Sequence, residues 1–364
     1  MRFIDEYRDP EVASGLRSVL NARALSIPRR ITIMEVCGSH TYAIGRHGIR
    51  AMLPKDVRLV SGPGCPVCVT SVEDIDRALF LAGLPGVIFA TFGDMIRVPG
   101  TGGRSLQMIR AGGADVRVVF SASECINLAV RHPDRQVVFM GIGFETTSPT
   151  VASMVKACSV RGIENVSVFS VHKLIPPAID VLLGDEELAI DGFLCPGHVS
   201  TILGTKAYAG IPSRGCAAVI TGFEPVDILQ GICQILNQII EGRYSVEIQY
   251  TRGVKPEGNP RAQALLEEVF TPVDARWRGL GTIPASGLGF SDKYLDFDAR
   301  KRFEIPEIHS EDAPGCRCGE ILKGRISPLE CPLFRTMCTP ENPVGPCMVS
   351  SEGTCAAYHA CNVT

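Results

Sequence analysis

Eight short runs of β-branched and other apolar residues recur between residues 31 and 223, and no other feature constrains the fold as tightly. They are "ITIMEV" (31–36), "VRLVS" (57–61), "GVIFATF" (86–92), "VRVVFS" (116–121), "QVVFMGIGF" (136–144), "VSVFSV" (166–171), "GFLC" (192–195) and "AAVITGF" (217–223). Segments with helical apolar spacing lie between them, such as "SVEDIDRALFLAG" (71–83) and "SPTVASMVKACSVRG" (148–162). Strands alternating with helices imply βαβ units, and near-continuous apolar runs imply parallel strands covered on both faces. The expected fold class is α/β, with two similar parallel-sheet domains of four strands each. The polar turn "RHPDRQ" (131–136) marks the expected break, giving one α/β domain over 1–131 and a second over 132–243.

After the long apolar helix expected over "PVDILQGICQILNQIIEG" (225–242) the character changes. Turn residues and one helical segment fill "YTRGVKPEGNPRAQALLEEVF" (250–270), and from about 303 the chain is rich in Cys, Pro and Gly. Such a segment buries little apolar area by itself, so a cofactor or docking must hold it. Residues 244–364 are read as a third, cysteine-rich domain.

The chain has 15 cysteines, and seven of them (Cys316, Cys318, Cys331, Cys338, Cys347, Cys355, Cys361) lie in the last 49 residues. The opening "MRFIDEYRDP" is too charged for a signal peptide, so a cytoplasmic location is expected, where structural disulfides are rare. Clustered cysteines then point to metal or redox chemistry. Net charge is −3 without a charge run, which gives no footprint for nucleic acid or an anionic membrane. The most apolar stretch (78–93) is short and broken by Pro85, which argues against a membrane span.

In open α/β sheets ligands gather at the carboxyl ends of strands, and the unusual motifs fall there. "MEVCGSHT" puts Cys37 at a strand end, where a thiolate can ligate a soft metal or act as a nucleophile, with His40 placed to orient a ligand, carry a proton or make a structural hydrogen bond. "GPGCPVC" carries Cys65 and Cys68 at C-x-x-C spacing, which suits a redox dithiol, half of a metal site or a structural pair. No second C-x-x-C exists to complete a zinc ribbon. "TFGDMIRVPGT" offers Asp94 and Arg97 as an ion pair in a cleft, as anion recognition or as a loop-fixing salt bridge. "GFETTSPT" offers Glu145 with Thr146 and Thr147 at a helix start, where hydroxyls cap and backbone N–H groups hold anions. "CPGHVS" offers Cys195 and His198 as a Cys–His pair. The spacing C-x12-C-x6-C-x16-C over Cys318, Cys331, Cys338 and Cys355 lacks the tight knuckles of zinc modules and favours an iron–sulfur cluster. Cys316 and Cys347 remain as spare ligands or a redox pair.

Six motifs in this order, "MEVCGSHT", "GPGCPVC", "GDMIRVPGT", "GFETTSPT", "CPGHVS" and "GPCMVSSEGTCAAY", resemble the HypD family of hydrogenase maturation proteins from about Cys37 to the C-terminus. Ser71 stands where many members have proline. The resemblance implies two α/β domains plus an iron–sulfur domain holding a [4Fe–4S] cluster through Cys318, Cys331, Cys338 and Cys355. It implies cytoplasmic assembly of the Fe(CN)2CO unit of [NiFe] hydrogenase with HypC, cyanide arriving from HypE as a thiocyanate, with HypF acting upstream. On this resemblance Cys37 is the iron ligand, Cys65 and Cys68 are a metal-adjacent dithiol, and the protein alone is a monomer. Two other readings fit the residues: a stand-alone iron–sulfur thiol–disulfide oxidoreductase, and a zinc-stabilised scaffold.

Overall fold

The computed structural model describes residues 4–361 and 363. Eleven strands are present among them: β1 (Ile31–Glu35), β2 (Val57–Ser61), β3 (Val87–Thr91), β4 (Val116–Val118), β5 (Gln136–Gly141), β6 (Val166–Ser170), β7 (Gly192–Pro196), β8 (Ala217–Thr221), β9 (Val246–Ile248), β10 (Phe270–Trp277) and β11 (Gly281–Phe290). All eight expected runs are strands. The first sheet is parallel with order β2-β1-β7-β8-β9, the second is parallel with order β4-β3-β5-β6, and β10-β11 form an antiparallel hairpin. The class is α/β as expected.

The strands divide between the sheets differently from the expected split. The chain leaves the first sheet after β2, builds the whole second sheet, and returns to lay β7 beside β1, with Ile33 opposite Gly192. A boundary at 131 therefore cuts through the second sheet between β4 and β5, and the first sheet is assembled from both ends of the α/β region. Sequential strands usually neighbour one another, and that tendency favours the wrong grouping here. β9, placed in the third domain by sequence, adds an edge to the first sheet.

Alternation along each strand sorts side chains between layers, because successive side chains point to opposite faces. Ile33 faces a core with Leu20, Ile228, Ile232 and Leu236, supplied by the helices Pro10–Leu25 and Pro225–Glu241. Its neighbour Met34 faces the opposite core, which it shares with Phe89, Val138 and Phe169 of the second sheet. Ile88, Val137 and Phe139 face a third core against Val151 and Val155 of the helix Ser148–Arg161 and Phe270 and Leu288 of the hairpin. The central core thus joins both sheets, and it extends to Ile321, Cys347 and Tyr358 near the C-terminus. The helix Pro225–Glu241 starts at a capping box between Glu224 and Asp227, with Pro225 in its first turn and Gly242 in the left-handed conformation after its end. Among the described residues no helix is long and apolar enough to cross a membrane.

Candidate functional site

β1 and β2 are adjacent and parallel, so the loops that follow them emerge side by side. The β1 loop carries Cys37 at the N-cap of the helix Gly38–Arg46, and the β2 loop carries Cys65 at the N-cap of the short helix Pro66–Val69, which contains Cys68. The loops touch backbone to backbone: Gly38 N donates to Gly64 O at 2.9 Å. A Cβ on Gly64 would lie 2.1 Å from Cys37 N, so only glycine permits this approach. All three thiols are buried.

Cys37 is held from below by Glu35. That fully buried carboxyl accepts from Cys37 N at 3.2 Å and from Thr41 Oγ1 at 2.6 Å. Burial pushes its pKa up to about 7, against hydrogen bonds from Ser61 and Thr41 that pull the other way. Burial, with the fields of Glu352 and Glu35, raises the Cys37 thiol far above its ordinary range, which favours the protonated sulfur. The side chain facing that sulfur is His198, whose Nδ1 is 3.8 Å away. The Cys–His pair expected between Cys195 and His198 is thus formed by Cys37 and His198. Cys195 is fully buried with its thiol pushed up by burial, a core residue.

His40 does not face the Cys37 sulfur. Its Nε2–H donates to Gly222 O at 2.9 Å and lies 3.0 Å from Thr221 Oγ1, fastening the helix to the end of β8, while burial lowers its pKa to about 4. Phe223 lies between the His40 and His198 rings, with centroids at 4.8 and 5.1 Å.

The C-x-x-C pair is polarised. Burial and the neighbouring Cys68 push the Cys65 thiol up. Burial also opposes ionisation of Cys68, but hydrogen bonds from the thiols of Cys347 and Cys65 and the positive field of Arg278 bring it down to about 5. Arg278 arrives from the turn of the hairpin: its backbone N donates to Val69 O at 2.8 Å, its Nε to Thr70 O at 3.0 Å, and its Nη1 to Asp312 at 2.9 Å. The residues around Arg278 carry no sequence motif, and nothing short of the tertiary structure places it at the dithiol.

The C-terminal segment closes the site from the other side. Gly38 lets Glu352 pack on it, since a Cβ there would lie 2.5 Å from Glu352 Cβ, and Ser39 Oγ donates to Glu352 Oε1 at 2.7 Å. Ser350 Oγ donates to Asp94 Oδ2 at 2.8 Å. Arg97 donates to the carbonyls of Pro340 and Glu341. Asp94 and Arg97 therefore bind the C-terminal segment rather than each other, and no ion pair between them is found among the described residues. Glu352 lies in the "SSEGT" run that helped carry the family resemblance, and that was its one available signal.

Behind the dithiol, Cys316, Cys318, Cys331, Cys338, Cys347 and Cys355 line a small cavity with Phe334 and Met348. Cys318 Sγ and Cys347 Sγ are 2.7 Å apart, and Cys347 also meets the thiols of Cys355 and Cys68. A line of sulfurs thus runs from Cys65 through Cys68 and Cys347 to the cavity. Among the described residues no three His, Cys, Asp or Glu side chains converge at single-ion distances; the thiols are spread around the cavity walls. An all-sulfur donor set on several walls fits the ligand chemistry of an iron–sulfur cluster.

Glu145, after β5, is apart from this thiol line. It is buried, its Oε1 accepts from Ile175 N at 3.0 Å, its Oε2 has no hydrogen-bond partner among the described residues, and burial raises its pKa to about 7. Thr147 makes no side-chain cap, because the expected capping geometry gives way to a close fit against Gly143, where a Cβ would lie 2.4 Å from the Thr147 side chain.

A two-sheet α/β scaffold thus sets the loop of a lone thiol against that of a dithiol, with a cysteine-lined cavity behind them. Residues 11–362 match the family model HypD, described as the hydrogenase formation hypA family. The chain is 46% identical over 367 residues to hydrogenase maturation factor HypD2 of Bradyrhizobium diazoefficiens, covering 98% of this chain and 96% of that protein. It is 44% identical over 365 residues to hydrogenase maturation factor HypD of Escherichia coli, covering 99% and 98%, and 44% identical over 368 residues to that of Cupriavidus necator, covering 99% and 97%. The chain belongs to the HypD family.

Proposed function

We propose that this protein acts in hydrogenase maturation, the role named for its relatives, as a redox-active scaffold on which the Fe(CN)2CO unit is assembled with HypC. The observation that carries the reading is the contact of three sulfur centres: Cys37 backbone against the dithiol loop, and Cys68 against Cys347 at the cavity. Iron is the cargo, and Cys37 is its ligand from this chain. A soft thiolate suits low-spin iron bearing cyanide and CO. His198 beside the sulfur orients it, and burial, which lowers its pKa, favours the neutral ring there.

Cyanide arrives as a thiocyanate R–S–CN on HypE. The Cys68 thiolate attacks the sulfur of R–S–CN and displaces cyanide, leaving a mixed disulfide. Cys65 then attacks the Cys68 sulfur, releasing the HypE thiolate and leaving a Cys65–Cys68 disulfide and one proton. The dithiol has supplied both electrons, and cyanide passes to iron held a loop away. The low pKa of Cys68 and the higher one of Cys65 suit this order of attack.

A [4Fe–4S] cluster in the cavity would supply electrons one at a time to restore the dithiol. Four ligands are needed from six thiols. The set read from spacing, Cys318, Cys331, Cys338 and Cys355, supplies them, and Cys347, whose sulfur meets those of Cys318, Cys355 and Cys68, is the relay between cavity and Cys68. Cys318→Ser is expected to lose iron and acid-labile sulfide, while Cys316→Ser retains them.

The decisive experiment is anoxic co-purification with HypC, with infrared spectra of the cyanide and CO stretches in wild type and Cys37→Ala. Bands absent from the variant support the reading; unchanged bands remove Cys37 from the iron site. The alternative of a stand-alone thiol–disulfide oxidoreductase gains from the acidic Cys68. Turnover of small disulfides without HypC would favour that alternative.

A further inference from the structure

His198 faces the Cys37 sulfur with no hydrogen bond to fix its ring from behind. Its Nδ1 and Nε2 stand 3.8 and 4.0 Å from Cys37 Sγ, so a small turn of the ring decides which nitrogen meets the sulfur. A histidine that serves a metal site is usually oriented by a carboxylate or a backbone carbonyl on its other nitrogen. Among the described residues neither ring nitrogen of His198 has a hydrogen-bond partner besides that sulfur.

The ring is met instead by Phe223, in the loop after β8. The two ring centres are 5.1 Å apart, with the planes tilted by 37°. The other histidine against Phe223 is His40, with ring centres 4.8 Å apart. His40 is held in place, because its Nε2–H donates to Gly222 O at 2.9 Å and lies 3.0 Å from Thr221 Oγ1. Phe223 thus rests against a ring that is fixed by hydrogen bonds and against one that is not.

A further ring braces Phe223. Tyr250, two residues after β9, meets it near edge-to-face at 6.0 Å and 68°. Aromatic rings at such separations prefer edge-to-face or offset contact, so the cluster has a favoured geometry as well as a favoured volume. Both loops of the site make room for Tyr250. A Cβ on Gly197, the residue before His198, would lie 2.9 Å from Tyr250 Cδ1, and one on Gly222, the residue before Phe223, would lie 2.8 Å from Tyr250 Cδ2. Arg252 lies 4.6 Å from the Tyr250 ring centre, and its Nη1 donates to Asp227 Oδ1 at 2.8 Å.

We infer that Phe223, braced by Tyr250, is a positioning residue that sets the His198 ring against Cys37. It acts through His198 and not on the iron. The placement of the ring is a property of the chain itself, and its consequence for iron rests on the reading of Cys37 as the iron ligand.

The test observes the histidine rings of the full chain by NMR with isotopically labelled histidine. The chain has seven histidines, and the His198 signal is the one lost in His198→Gln. In an otherwise wild-type chain, Cys37→Ala should shift that signal. In Phe223→Ala and in Tyr250→Ala the signal should move or broaden and no longer respond to Cys37→Ala. Tyr250→Phe, which keeps the ring, should match wild type. Phe223→Leu, which keeps most of the bulk and loses the flat face, carries the test if Phe223→Ala does not fold. Chelator competition for iron in the HypC complex gives a second readout. Phe223→Ala should weaken iron retention ~10-fold, as for losing a residue that orients a metal-site histidine. It should cost nothing further in a His198→Ala background, since the two then act as one unit. An unmoved His198 signal in both Phe223→Ala and Tyr250→Ala, or iron losses that add to that of His198→Ala, would overturn the inference. If His198→Ala itself leaves iron retention unchanged, the iron reading fails, and the ring signals alone decide whether Phe223 positions His198.

Discussion

The two parallel sheets are built alike, yet their carboxyl-end loops carry different chemistry. In the first sheet, β1 is followed by Cys37, β2 by Cys65 and Cys68, and β7 by His198. In the second, β3 is followed by Asp94 and β5 by Glu145. The first sheet supplies soft donors on loops that touch through their backbones. The second supplies carboxyls turned to structural use: Asp94 holds Ser350 of the C-terminal segment, and Glu145 holds the backbone at Ile175. Similar architecture therefore does not mean similar function, and chemistry follows the loop residues rather than the sheet.

The largest test of this contrast is Cys37→Ala against Asp94→Asn. The first should reduce iron retained by the HypC complex to background. The second should leave iron bound and loosen the C-terminal segment, seen as faster proteolysis beyond residue 310. Loss of iron in both would break the distinction between the sheets. His198→Ala comes next: removing a group that orients a ligand typically costs ~10–100-fold in metal affinity, to be read by chelator competition. Retained affinity would leave His198 without a part in the iron site.

Glu145 tests the second sheet directly. Its folded pKa of about 7 lies above the ordinary 4.5. The folded state therefore binds more protons than the unfolded state between those values, and stability falls as pH rises from about 4.5 to 7, with the full penalty present above. Glu145→Gln should remove this slope and gain up to ~3 kcal/mol at pH 8, with little change at pH 4. Denaturant melts at both pH values measure it. If the variant instead lost iron loading with stability unchanged, Glu145 would belong to the chemistry. The smallest expected effect is at Arg278. Arg278→Gln removes the positive field at Cys68 and should move the pH midpoint of its alkylation upward. An unmoved midpoint would leave the polarity of the dithiol to Cys347 and Cys65.

Much of the thiol site was legible because its residues sit in short motifs at strand ends, and a strand end fixes where a loop emerges. Cys37, Cys65, Cys68 and His198 are found together for that reason. His40 was ambiguous because a histidine one turn into a helix can face either the ligand side or the sheet, and β8 claims it through Gly222. The pairing of Asp94 with Arg97 was a local expectation overridden by a distant segment. Spacing along a loop-rich segment does not fix which sulfurs face one another, so the contact of Cys318 with Cys347 had no signal in the sequence.

By itself the sequence determined the strands β1 to β8 and the α/β class and singled out the cysteine motifs, because periodicity and motif chemistry are local. Tertiary structure alone decided that β7 returns to β1, that Arg278 and Glu352 flank the thiols, and that Cys68 reaches the cysteine cavity through Cys347. Those contacts join residues far apart in the chain, and they are selected by burial of a core shared between the sheets and the C-terminal segment, which no local pattern records.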